Sequence, residues 1–182
     1  WIIDPIDGTK ELINGSDDFT LNIALIYNQT PILGGIYQPM KDTIYLGGSD
    51  LPPKKIIDEK TLFLPHKNNQ ICNVLISKSH SNKEEKDFCA KVMSKFEGSK
   101  VIQMGSSLKF CRICEGIADL YPRFGDIYSW DIAAGALIVT EAGGRVSAFD
   151  GGPLDIHSGT IVATNGYIHD ALRQSVLLPE TL

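Results

Sequence analysis

Two aspartates three residues apart, in Asp4-Pro5-Ile6-Asp7-Gly8-Thr9, directly follow the apolar Trp1-Ile2-Ile3. Pro5 fixes one backbone angle between them, so the turn that carries both carboxylates is stiff. Hard divalent cations such as Mg²⁺ take oxygen ligands, and two carboxylates on such a turn can ligate one ion or bridge two. Gly8 lets backbone amides approach a phosphate, and the Thr9 hydroxyl can orient a water. The same residues also suit an Asx-rich turn that merely ends a strand. Far downstream, Trp130-Asp131 precedes Ile132-Ala133-Ala134-Gly135-Ala136-Leu137. Asp131 is expected there at a helix N-cap, a role worth about 1 kcal/mol. The small residues after it allow that helix end to approach another backbone closely, which serves a site as well as a core.

The elements that must hold these residues follow from periodicity. Residues 19–27 alternate with a strand period and pair through a turn at Asn28-Gln29-Thr30-Pro31 with a second strand over 32–37, where Gly34-Gly35 signals a bulge or a close backbone approach. A third short strand is expected over 43–46. Residues 47–70, with three prolines and no sustained period, read as an exposed excursion crossing between two halves. The period then changes: a strand at 74–76, a charged helix over 83–96 capped by Ser81-Asn82, a strand at 101–104, a helix over 107–116, a strand at 118–121, a helix over 132–142 stopped by Gly143-Gly144, a strand at 161–163, and a last helix from His169. An antiparallel first third followed by α/β units implies a layered α/β sandwich, with residues 1–70 as an antiparallel-sheet lobe and 71–182 as an α/β lobe carrying Asp131.

Composition narrows the class. With 182 residues, 43 % apolar and 21 % charged, the chain can bury a sizeable core and is neither fibrous nor low-complexity. Its net charge of −5 repels polyanions, so nucleic acid is not an expected partner, and an acidic small molecule must bind at a local cationic site. No apolar run approaches the ~18 residues of a membrane span, and the first residues lack a secretory signal, so a cytoplasmic protein is expected. Four cysteines, Cys72, Cys89, Cys111 and Cys114, read as reduced thiols; the Cys-x-x-Cys pair lies on the apolar face of a helix and suits packing better than a redox pair or half a zinc site.

Taken together, the Asp4 and Trp130 stretches resemble the paired signatures of the lithium-sensitive, Mg²⁺-dependent phosphatase superfamily that includes inositol monophosphatase, and the likeness covers nearly the whole chain. Four finer features, Gly8-Thr9-Lys10-Glu11, Ser77-Lys78-Ser79-His80, Gly105-Ser106-Ser107-Leu108-Lys109-Phe110 and Tyr121-Pro122-Arg123-Phe124-Gly125, resemble the 3′(2′),5′-bisphosphate nucleotidases of the CysQ type. Inositol monophosphatases usually carry Thr-Asn in place of Lys10-Glu11.

The resemblance implies a layered α/β/α/β/α sandwich of the sugar-phosphatase type and two or more Mg²⁺ ions, with inhibition by Li⁺. By the same resemblance Asp4 bridges two ions, the Ile6 carbonyl and Asp7 complete their shells, and Asp131 holds the second ion from the opposite lobe. Gly8 and Thr9 touch the scissile phosphate, and Thr9 helps polarise the attacking water. Ser106, Lys109 and Arg123 are the expected grip on a second phosphate, Arg through paired hydrogen bonds and Lys as a point charge. His80 is placed to contact the nucleoside, although a lone His at a strand end also suits a structural role. The implied reaction removes the 3′-phosphate of 3′-phosphoadenosine 5′-phosphate in sulfur assimilation, by a cytoplasmic monomer or homodimer with or without association to the inner face of the membrane.

The alternatives are an inositol-phosphate or sugar-phosphate phosphatase, or a degraded relative that binds nucleotide without turning it over or merely folds. Leu12 stands where the branch usually has Phe. The family also draws a metal-binding Glu and a water-activating residue from a segment before Asp4. A chain that opens on Trp1 in the middle of an apolar run is therefore expected to lack that helical segment and part of the catalytic apparatus.

Overall fold

The computed structural model describes residues 1–64, 72–79, 81–125 and 127–174. Eight consecutive residues, Ile132 through Val139, are all buried in the helix α4 (Ser129–Glu141). A helix covered on every side must be enclosed between layers, and its apolar composition all round is what that position demands.

The layers that enclose it are two sheets. The first is antiparallel throughout, in the order β1 (Ile2–Asp7), β2 (Thr20–Tyr27), β3 (Thr30–Gln38), β4 (Thr43–Gly48), β5 (Leu51–Ile57), β6 (Lys60–Phe63). The second has the order β10 (Arg145–Ser147), β11 (Thr160–Thr164), β9 (Leu120–Phe124), β7 (Asn73–Ser77), β8 (Lys100–Met104), with β7 parallel to both its neighbours and β11 antiparallel to both of its own. One buried cluster joins Ala24, Ile36 and Tyr45 of the first sheet, Phe110 of α3 (Leu108–Cys114), Ile132 and Ile138 of α4, and Tyr121 and Ile161 of the second sheet. A second cluster packs Phe88 and Val92 of α2 (Lys83–Lys95) and Leu172 of α5 (His169–Leu172) against Val74, Leu120 and Val162 on the far face of the second sheet. The succession sheet, helices, sheet, helices is that of the expected layered sandwich.

Glycine sets how closely these layers approach. A Cβ added to Gly34 would lie 2.9 Å from the Ala134 carbonyl oxygen and 3.1 Å from its Cα, so β3 and α4 touch backbone to backbone. Of the two expectations for Gly34-Gly35, the close approach holds and the bulge does not: Gly34 pairs with Ala24 and Gly35 with Ile23 in register, and the ladder shifts only between Leu25 and Ile26.

Residues 47–70 correct the expectation of an exposed excursion. They contain β5 and β6, which extend the first sheet, and of the remainder residues 65–70 lie outside the described residues. Pro52 and Pro53 fall where the β4–β5 ladder shifts, between Leu46 and Gly48, so no ladder bond is demanded of the missing N–H groups. In β2 the strand period is present with its polar side inward: Thr20, Asn22 and Ala24 are buried, while Leu21 and Ile23 are exposed.

All four cysteines are buried, and burial holds the Cys72 thiol up at about 12 and the Cys89 thiol at about 11, as packed thiols require. Among the described residues no helix is long and apolar enough to cross a membrane.

Candidate functional site

Side chains alternate along a strand, so Asp4 and Asp7, an odd number apart, would point to opposite faces of β1. A bulge prevents this. Asp4 pairs with Asn22 and Asp7 with Thr20, so Pro5 and Ile6 together oppose the single residue Leu21. The extra residue brings both carboxylates to the inner face. Pro5 has no N–H to lose at such a point, and the Ile6 N–H donates instead to Asp4 Oδ1 at 3.0 Å.

Asp131 reaches the same place from α4. Carboxylate oxygens of Asp4, Asp7 and Asp131 all lie within 4.8 Å of one another. Asp131 is not the N-cap it was expected to be: the helix begins at Ser129, Tyr128 is the cap, and Asp131 Oδ2 accepts the Tyr128 N–H at 2.9 Å from the third helical position.

The electrostatics of the trio follow from its crowding. Burial pushes the Asp131 carboxyl up to about 6, opposed by the Tyr128 N–H and reinforced by the charges of Asp7 and Asp4. Burial, with Asp7 adding to it, also raises Asp4. Three hard oxygen donors gathered this closely make a donor set that fits a divalent cation such as Mg²⁺.

The cluster forms one wall of a cavity of about 420 Å³. Gly8 lies on its rim in a left-handed conformation, φ 86°, where a Cβ would stand 3.2 Å from Ser106 Cβ and 3.3 Å from the Asp18 carbonyl oxygen. Thr9 opens the short helix α1 (Thr9–Ile13) and its hydroxyl donates to the Ile6 carbonyl at 3.4 Å. Ser106, itself left-handed at φ 49°, precedes α3 and accepts the Leu108 N–H at 3.3 Å.

Two cations line the same cavity. Lys109 donates to the Ser106 carbonyl at 2.5 Å and lies 5.1 Å above the Tyr121 ring. Burial pushes its ammonium down to about 8, against the pull of Asp7. Arg123 on β9 forms a buried ion pair with Glu85 of α2 at 2.8 Å. The cavity therefore gathers Asp4, Ile6, Asp7, Gly8, Thr9, Ser106, Lys109, Arg123 and Asp131 from five elements and their connecting loops. His80 lies outside the described residues.

Sequence reasoning missed several residues that hold the site. Glu11, 5 % exposed, lines the cavity and accepts the Ser79 hydroxyl at 2.7 Å. Glu85, read only as part of a charged helix, is fully buried and paired with Arg123. The Lys10-Glu11 pair marked Glu11 as a branch feature, but the partners of both glutamates are distant in sequence, so no local signal gave their roles. Tyr128 stacks on Trp130, with ring centroids 4.6 Å apart and an interplanar angle of 14°, at the cavity's edge.

Comparison with known proteins places this two-sheet α/β sandwich in a family. The chain belongs to the inositol monophosphatase family, whose profile matches residues 1–177. The 3′(2′),5′-bisphosphate nucleotidase CysQ of Buchnera aphidicola is 43 % identical over 157 residues, covering 85 % of this chain and 57 % of that protein. The protein of the same name from Escherichia coli K12 is 38 % identical over 155 residues, covering 85 % and 61 %. The crystal structure of CysQ from Bacteroides thetaiotaomicron, a bacterial member of the family, superposes with a TM-score of 0.82 at 31 % identity, covering 90 % of this chain and 69 % of that one. This chain thus spans about three fifths of the length of these two curated relatives.

Proposed function

We propose that this chain acts as a Mg²⁺-dependent phosphatase that removes the 3′-phosphate from 3′-phosphoadenosine 5′-phosphate, giving AMP and inorganic phosphate, in sulfur assimilation. The observation that carries the reading is that three clustered carboxylates and the cations Lys109 and Arg123 line the same cavity. That pairing of charge suits a ligand with two phosphates, one at the acidic cluster and one at the cations. The names of the CysQ relatives support the same choice.

Asp4, Asp7, Asp131 and the Ile6 carbonyl would hold Mg²⁺. Bound there, the ion lowers the pKa of water, neutralises phosphate oxygens and stabilises the leaving alkoxide. The chain's own residues do the rest. The Gly8 amide, freed by its left-handed turn, donates to the scissile phosphate. Thr9, anchored near the Ile6 carbonyl, aligns the attacking water, and Ser106 and Lys109 bind the second phosphate beside α3.

A second reading has an observation of its own. Glu85 neutralises part of the Arg123 charge inside the protein, which weakens the case for a second phosphate and favours an inositol or sugar monophosphate. Phosphate release measured in Mg²⁺, with 3′-phosphoadenosine 5′-phosphate and inositol 1-phosphate side by side, decides between them. The bisphosphate reading expects selective release from the nucleotide, abolished by EDTA and inhibited by Li⁺. Equal release from both, or release from inositol 1-phosphate alone, overturns it, and release from neither shows that this chain is not by itself a phosphatase.

A further inference from the structure

Tyr128 and Trp130 are large aromatics left 58 % and 43 % exposed, yet they are ordered against each other in a near-parallel stack at 4.6 Å. Both line the cavity that holds the carboxylate trio. Their position is fixed from two sides. The Tyr128 N–H is held by Asp131 Oδ2 at 2.9 Å, and the Trp130 carbonyl accepts the Asn22 amide at 3.5 Å. The stack is therefore tied to the residues of the acidic cluster and cannot drift away from a phosphate bound beside them.

We propose that the Tyr128–Trp130 stack is a platform for the purine or pyrimidine base of a nucleotide whose phosphate lies at the acidic cluster. This rests on the nucleotide reading given above and assigns the specificity for its base. A base offers a flat π-face that stacks on aromatic rings, whereas inositol and sugar rings are puckered and hydroxylated and have none. Loss of an aromatic platform weakens base binding by about 5- to 150-fold. The cavity thus combines charged groups that recognise phosphate with an aromatic pair beside them that recognises what the phosphate is attached to.

The chain has two tryptophans, so the Trp1→Phe variant leaves Trp130 as the only tryptophan reporter. Titration of that variant with adenosine 3′,5′-bisphosphate is done in Ca²⁺, which occupies oxygen sites and supports phosphoryl chemistry poorly. Saturable quenching of Trp130 fluorescence by the nucleotide, none by ribose 5-phosphate, and a rise in Kd of at least fivefold when Tyr128→Leu is added are expected. Leucine keeps bulk without a π-face, and the variant's circular dichroism checks that it folds. No quenching by the nucleotide, equal quenching by ribose 5-phosphate, or an unchanged Kd in the Tyr128→Leu protein overturns the platform. Nucleotide-selective phosphate release without quenching would leave the phosphatase reading standing and remove the platform alone; quenching without release would do the reverse.

Discussion

The backbone N–H of Ser107 donates to Asp7 Oδ2 at 2.5 Å, joining residues a hundred positions apart. The same oxygen is approached by the Thr20 hydroxyl and the Asn22 amide, each at 3.4 Å, while the Ser107 hydroxyl bonds Asn22 Oδ1 at 2.6 Å and meets the Thr20 hydroxyl at 2.8 Å. Asp7 is thus both a member of the acidic trio and a clasp between the first sheet and α3, with Oδ1 outside this network.

The two roles separate by substitution. Asp7→Ala strands the Ser107 N–H and part of a buried polar network, and is expected to destabilise the metal-free protein by about 2–3 kcal/mol. Asp7→Asn keeps an acceptor oxygen and should cost no more than about 1 kcal/mol. Both should weaken Mg²⁺ binding at least tenfold. Urea denaturation in EDTA and calorimetric titration with Mg²⁺ measure the two effects; equal destabilisation by Ala and Asn would show that the clasp contributes nothing.

Gly34→Ala tests the contact that positions Asp131. The new methyl would fall within 2.9 Å of the Ala134 carbonyl oxygen, a backbone atom that cannot swing aside. Forcing β3 and α4 apart should destabilise by about 1–3 kcal/mol. Because α4 carries Asp131, Mg²⁺ affinity should fall as well, although residue 34 is remote in sequence from every metal-ligand candidate. A denaturation midpoint within error of the parent protein would mean that α4 yields freely.

How much of this was legible in the sequence depended on range. The Asp4-to-Thr9 turn and the small residues after Asp131 are local patterns, and both were readable. The face to which Asp4 and Asp7 point was not, because it depends on a bulge set by pairing with Thr20 and Asn22. β5 was hidden by Pro52 and Pro53, which a sheet accepts only where its ladder already breaks. Asp131 was misplaced by three positions because its carboxylate caps equally well from inside the first turn. The roles of Glu11 and Glu85 were illegible, since the residues that bond them, Ser79 and Arg123, lie far away in sequence.

Glu85 offers a sharp case. It is fully buried, one oxygen receives Arg123 at 2.8 Å, and the other has no partner among the described residues. Removing its charge leaves a buried guanidinium uncompensated, so Glu85→Ala should destabilise by about 3–5 kcal/mol. Glu85→Gln retains an acceptor and should fold. If Arg123 serves the second phosphate, the Gln variant frees its charge and should tighten binding of the bisphosphate more than that of inositol 1-phosphate. Equal effects on both ligands would place Arg123 in the framework and not at the ligand.

Acid should stabilise the metal-free protein. Asp131 keeps its proton up to about pH 6 when folded, while the unfolded carboxyl releases it near 3.8. Between those values the folded state binds more protons, so stability falls as pH rises through the window. Discounted for the water that Asp131 still meets, the change is on the order of 1.5 kcal/mol. Saturating Mg²⁺ should reverse the slope, since the ion binds the ionised form. Thermal melts at pH 4.5 and 6.5 with EDTA and with Mg²⁺ measure both slopes, and Asp131→Asn should flatten each.

Lys109 gives the opposite dependence at the alkaline end. Burial pushes its ammonium down to about 8 from 10.5. Above pH 8 the folded protein has released a proton that the unfolded chain still holds, so stability gained from Lys109 rises between pH 8 and 10.5. Anion binding moves the other way, because the cation that faces the phosphate is lost. Affinity for adenosine 3′,5′-bisphosphate should therefore fall by up to about tenfold per pH unit above 8, and Lys109→Met should bind more weakly at pH 7 but without that decline. An alkaline decline that persists unchanged in Lys109→Met would assign the titration to another group and remove Lys109 from the phosphate site.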